Sequence, residues 1–282
     1  MKPNTKGFKI CILYIISAFA FTIKINAIPI KTVIETEVLV YGATPSGIMA
    51  AITVKKAGRS VIIVEPSRWV GGILGAGLKP VQDMPNYDAI GGTTRKLMLR
   101  LGVRTDEEPI TLDKVWQLSL KSMSPKYVRE DFLQLLKEND VEVIYNHRIS
   151  RTVKEKQKIK EAIFDLAPFD ELGCPVGEAE IYDHLYIKSK IFIDASYDGE
   201  LMNRSGVSNR IGRESVLEYN EDLAGVRPLG NITPISPFVV SNDPESGLLP
   251  MVENDHGKQL GAGDQYTQAY NYRFYVTSDP ER

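Results

Sequence analysis

Apolar side chains fill residues 38–41 (Val-Leu-Val-Tyr), return as Ile48, Ala51 and Ile52, and dominate residues 60–64 (Ser-Val-Ile-Ile-Val). An unbroken apolar run suits a strand buried on both faces, whereas the spacing of Ile48, Ala51 and Ile52 lays one stripe along a helix. Gly58 is placed to stop that helix. The order predicted is strand, tight turn, helix and second parallel strand. Helical spacing resumes over residues 93–101 and again after Ser124-Pro125, a cap followed by a first-turn proline. Val128, Phe132, Leu135 and Leu136 form its apolar face and Asp140 closes it.

Residues 141–145 then read as a third parallel strand. Short strand-like runs at 151–153, 162–166 and 182–187, separated by charged or Gly/Pro-rich turns, predict a small β-meander insertion over about residues 150–190. Residues 191–196 read as a buried strand leading into a polar turn. Residues 79–92 are irregular, 219–237 and 242–255 read as long loops, and 268–276 as a further strand carrying Arg273.

The first turn carries the most specific chemistry. Gly42 ends the strand where a side chain would block the chain reversal, and Gly47 lets the helix pack close to the sheet. Residues 42–47 (Gly42, Ala43, Thr44, Pro45, Ser46, Gly47) then present helix N-terminal N–H groups to a diphosphate. Glu65 follows Gly42 by 23 positions, at a strand end where a carboxylate accepts the hydroxyls of an adenosine ribose. Thr44 stands where the middle glycine of G-x-G-x-x-G is expected. An ordinary strand-to-helix turn shares these glycines, but not the acid at this distance.

Beyond the acid, Arg68, Gly71 and Gly72 resemble the Arg-x-x-Gly-Gly segment of flavoproteins with two dinucleotide-binding domains, in which the paired glycines pass beside the cofactor's phosphates. The blocks at 42–47, 71–78, 192–201, 212–215 and 268–274 together, in this order, resemble the exported FAD-dependent oxidoreductase family of polysaccharide-degrading bacteria, whose members often carry the label xanthan lyase. Thr44 fits that family's Gly-x-Thr-Pro-small-Gly turn. The resemblance implies FAD as cofactor, Ile149 beside the adenine, and Ala195, Ser196 and Gly199 beside the phosphates. It implies hydride transfer from a small organic substrate to flavin, and the family's context points to a sugar-related one. It names no catalytic residue.

Composition alters this picture at three points. With 282 residues, 43% hydrophobic and 25% charged, the chain is long enough for one large or two modest domains. Lys2, Lys6 and Lys9 precede a mostly apolar run of 14 residues at 10–23, and Ile25-Asn26-Ala27 suits cleavage, so residues 1–27 read as a secretory signal. Export, to periplasm or medium, follows as an expectation, with membrane contact only through that signal. Its loss removes four lysines and no acids, taking the formal charge from −2 to −6, which argues against a nucleic-acid partner. Only Cys174 then remains, excluding an intramolecular disulfide and Cys-x-x-Cys redox chemistry.

No spacing suggests a metal site, and His147 is expected at the surface. Asp194 and Asp198 are a carboxylate pair open to acid/base work, or to capping and solvation. The expected fold is α/β: a Rossmann-like FAD/NAD(P)-binding domain over residues 34–215 with a parallel sheet and the meander, then residues 216–282 as the start of an incomplete substrate domain. Relatives continue into a segment that returns to the flavin, so a truncated chain is expected. An NAD-binding Rossmann enzyme and an inactive nucleotide-binding fragment remain open alternatives.

Overall fold

The computed structural model describes residues 31–77, 86–105, 110–121, 124–227, 236–250, 252 and 258–266. The expected signal at 1–27, the strand at 268–276 with Arg273, and residues 79–85 of the irregular stretch at 79–92 lie outside the described residues.

Six strands form one mixed sheet: β1 (Thr32–Tyr41), β2 (Val61–Val64), β3 (Glu142–Ile144), β4 (His147–Glu155), β5 (Lys158–Leu166) and β6 (Ile181–Asp194). Their spatial order is β3-β2-β1-β6-β5-β4. The β1–β2, β2–β3 and β1–β6 pairs are parallel, while β4–β5 and β5–β6 are antiparallel. Among the described residues seven helices accompany them: α1 (Pro45–Lys56), α2 (Gly72–Ala76), α3 (Gly92–Met98), α4 (Leu112–Lys121), α5 (Pro125–Glu138), α6 (Glu200–Arg204) and α7 (Val216–Tyr219).

Alternation along β1 and β2 sorts the core into two layers. Val38, Val40, Val61 and Ile63 pack with Ile48, Ala51 and Ile52 of α1 and with Val128, Phe132 and Leu136 of α5. Leu39, Tyr41, Ile62 and Val64 face the other way, onto Ile149, Ala162, Phe164, Leu185 and Ile187 of the meander. Helices cover one face and the meander the other, which is why these strands read as unbroken apolar runs. In α5, Ser124 Oγ accepts from the Lys126 N–H at 3.3 Å and Pro125 opens the first turn.

Several elements differ from expectation. The strand-like runs at 182–187 and 191–196 are one continuous strand, β6, because its first half is held by β5 and its whole second half by β1. β1 likewise starts at Thr32 rather than residue 38, since its polar first half gains a partner in β6. Helix α4 went unforeseen. Helix α5 ends at Glu138, with Asn139 as its cap; Asp140 stands at φ +50° and its carboxylate accepts from Lys55 Nζ at 2.8 Å.

His147 is buried, not at the surface. Its Nδ1 lies 2.7 Å from the Tyr145 carbonyl and its Nε2 lies 2.9 Å from His184 Nδ1. A carbonyl only accepts, so Nδ1 carries the proton, and neutral His147 accepts at Nε2 from the His184 Nδ1–H.

Beyond α6, residues 212–227 and 258–264 are joined by Val216 N–H to the Gly261 carbonyl and Val226 N–H to the Ala262 carbonyl, both 2.9 Å. Arg213, just before the boundary expected at residue 215, pairs with Asp264.

Candidate functional site

Three turns meet at the carboxyl ends of the parallel strands β1, β2 and β6. The first joins β1 to α1. Gly42 stands at φ +101°, and a Cβ there would lie 2.9 Å from the Ala195 carbonyl oxygen. A Cβ on Gly47 would lie 2.0 Å from the Gly42 carbonyl oxygen, so both positions require glycine for close backbone approach. Pro45 occupies the first helical turn and Thr44 is the N-cap.

The Thr44 hydroxyl has two backbone partners that a glycine could not hold. It donates to the Ala195 carbonyl at 2.8 Å and accepts from the Gly47 N–H at 3.2 Å. Ser46 Oγ, 3.0 Å away, then donates to it. The second turn, Gly71 and Gly72 at φ +86° and +47°, is tied to the first by the Gly71 N–H bonding the Ala43 carbonyl at 2.8 Å. The third, residues 194–199, reaches the second through the Tyr197 hydroxyl, which accepts from the Ile73 N–H at 2.8 Å. A Cβ on Gly72 would fall 2.3 Å from that hydroxyl oxygen.

Each turn is therefore bonded to the other two. The amide N–H groups of Thr44, Ser46 and Gly72 make no hydrogen bond among the described residues, leaving three backbone donors in the paired glycine turns. Unpaired amides in glycine turns suit a diphosphate.

Glu65 sits at the end of β2 and is 8% exposed. Its Oε2 accepts from the Ala43 N–H at 2.6 Å, and its Oε1 from the Ser67 N–H at 2.9 Å and the Ser67 hydroxyl at 2.6 Å. Three of about four acceptor positions on a carboxylate are thus filled. The Ser67 hydroxyl is the partner that a bond rotation can withdraw, freeing Oε1 for a ribose hydroxyl. Nearby, Asn146 Oδ1 is buried without a partner among the described residues, on a backbone at φ +63°.

Asp194 holds its turn rather than a proton in transit. Its Oδ1 accepts from the Ser196 N–H and hydroxyl at 3.0 and 2.7 Å, and its Oδ2 from the Met202 N–H at 2.8 Å. Gly199, at φ +65°, turns the chain into α6.

The side chains of two expected site residues make their contacts outside these three turns' mutual bonds. The Arg68 guanidinium reaches the Glu171 carbonyl at 3.3 Å and stacks over Phe169 and Trp69. Ile149 is 5% exposed within the second core, and its N–H donates to the Tyr41 hydroxyl at 3.2 Å. That hydroxyl donates in turn to Glu200 Oε2 at 2.7 Å, and burial, reinforced by the Glu200 charge, pushes the phenol well above its ordinary pKa. Tyr41, Ser67 and Tyr197 escaped the sequence reading. Tyr197 lay inside the block at 192–201, whereas Tyr41 was masked by its place in an apolar run. Among the described residues no group of three or more His, Cys, Asp or Glu side chains is placed to hold a metal ion.

Parallel strands within a mixed sheet, with glycine turns clasped at their carboxyl ends and an acid closing the second strand, define an α/β dinucleotide-binding protein. Residues 37–282 match the family described as FAD dependent oxidoreductase, and the chain belongs to that family, whose cofactor is FAD. The glycine-lined cradle and its free amides fit the phosphates of that cofactor.

No curated protein matches the chain. Among solved structures, L-proline dehydrogenase from P. horikoshii is similar at 14% identity and TM-score 0.37, over 66% of this chain and 59% of that one. THI4 from Thermovibrio ammonificans is similar at 16% identity and TM-score 0.38, over 62% of this chain and 64% of that one. The flavin-dependent brominase Bmp2 is similar at 14% identity and TM-score 0.38, over 64% of this chain and 42% of that one. The chain thus spans less than two thirds of each of these structures.

Proposed function

We propose that this chain holds the ADP portion of FAD in an exported oxidoreductase that takes a hydride from a small organic, sugar-related substrate. The observation that carries the reading is the mutual clasp of the three turns, through Thr44 to Ala195, Gly71 to Ala43 and Ile73 to Tyr197. The free N–H groups of Thr44, Ser46 and Gly72 receive the diphosphate oxygens. Glu65, once the Ser67 hydroxyl rotates away, accepts from the ribose. FAD, when bound, supplies the two-electron redox chemistry, and the protein supplies placement. Export rests on the lysine-flanked apolar run at 10–23.

The test is retention of cofactor by the full chain. Incubated with FAD and desalted, it should keep one equivalent of flavin by visible absorption and keep no NAD. Glu65→Ala should weaken FAD binding by about tenfold or more, the loss of a charge-assisted hydrogen bond. Retention of NAD in place of FAD, or FAD affinity unaltered in Glu65→Ala, would overturn the assignment.

A further inference from the structure

Helices α1, α3 and α5 leave between them a crevice of about 140 Å³ on the outer side of the first core. Its lining divides by chemistry. Met49 and Ile52 of α1, Leu97 of α3 and Leu135 of α5 supply an apolar floor, in which Met49 and Leu135 are only partly covered. Lys56, Lys96 and Arg100 supply the charged lining, which contains no acid.

The three cations are not equivalent. Arg100 is neutralised by Glu138, which takes two hydrogen bonds from its guanidinium at 2.7 and 2.9 Å. Lys55, adjacent to the crevice, is neutralised by Asp140. Lys56 and Lys96 make no ion pair or hydrogen bond among the described residues, so no described acid neutralises these two ammonium groups of the crevice, on a chain of net negative charge.

An apolar cavity of about 150 Å³ accepts a benzene ring. The crevice has about that volume and is open to solvent on one side, and two lysines that line it together with the apolar side chains are complementary to a carboxylate on such a ring. We propose that this crevice binds a small aromatic carboxylate of benzoate size, with its ring on Met49, Ile52, Leu97 and Leu135 and its carboxylate against Lys56 and Lys96. The site is separate from the nucleotide cradle: it takes the last turns of α1, whereas the cradle takes the first.

The experiment follows the methyl group of Met49 in the full chain labelled at methionine methyl carbons, assigned with Met49→Leu. Benzoate should shift that signal saturably, benzyl alcohol should need about tenfold higher concentration, and added salt should weaken benzoate alone. Lys56→Glu combined with Lys96→Glu should weaken benzoate by about tenfold or more, while Lys158→Glu, on β5 of the meander, leaves it unaltered. A Met49 signal that does not move, an equal response to benzyl alcohol, or affinity indifferent to both salt and the double charge reversal would each overturn the proposal.

Discussion

Thr44 Oγ1 donates to the Ala195 carbonyl at 2.8 Å across 151 positions of sequence. The same oxygen caps α1 by accepting from the Gly47 N–H. One hydroxyl thus fastens the end of β1 to the turn after β6 and starts the helix. This explains why threonine replaces a glycine here: the bonds that it makes fix the turn, while the amides of Thr44 and Ser46 stay available.

Thr44→Val keeps the branched shape and removes both bonds. It should lower the free energy of unfolding by about 1–3 kcal/mol, the cost of a lost cap and an abandoned buried carbonyl. Thr44→Ser should recover most of that loss. Urea unfolding of the three proteins measures it, and a valine variant as stable as the parent would refute the role.

Two glycines offer a contrast. Gly47→Ala places a methyl 2.0 Å from the Gly42 carbonyl oxygen, and should both cost about 3 kcal/mol or more and abolish FAD retention. Gly58, at φ +73°, has nothing within 4 Å of the same added atom. Gly58→Ala should therefore show backbone strain alone, about 1–2 kcal/mol, with FAD retention intact.

Tyr41→Phe tests the hub beneath the site. Without the hydroxyl, the buried Ile149 N–H loses its acceptor and Glu200 loses its donor. A loss of about 1–3 kcal/mol is expected in chemical denaturation. A neutral substitution would mean that water replaces the phenol oxygen.

Burial, and to a lesser degree His184, holds His147 below the ordinary histidine pKa, with the Tyr145 carbonyl acting in the opposite sense. The unfolded chain therefore binds more protons than the fold between the two pKa values, and stability rises with pH there. The contribution is complete above an unfolded-state pKa of about 6.5 and is lost as pH falls through the folded value. Thermal midpoints measured from neutral to mildly acidic pH should fall, and His147→Gln should flatten that fall. An equally steep fall in the variant would exclude His147 as its source.

The sequence made the local parts legible. The run at 38–41, the stripe of Ile48, Ala51 and Ile52, and the Ser124-Pro125 start of α5 are decided by neighbours within a few residues, and each lies where its pattern puts it. The continuity of β6 was not legible, since polar Lys188 and Ser189 are held in strand form by pairing with Glu35 and Thr36 of β1, and Lys188 also with Glu161 of β5. His147 and Tyr41 were misread or overlooked for the same reason. Their hydrogen-bond partners, His184 and Glu200, stand 37 and 159 positions away and leave no periodic trace.

The parallel pairing of β1 with β6 also sets an order of assembly. A chain emerging from the ribosome presents β1, α1 and β2 long before Ala195 exists to receive the Thr44 hydroxyl, so the turn between β1 and α1 is completed only after the entire meander has been synthesised. Until then the β6-facing edge of β1 lacks its partner, a slow, non-local closure that exposes the nascent chain to misassociation.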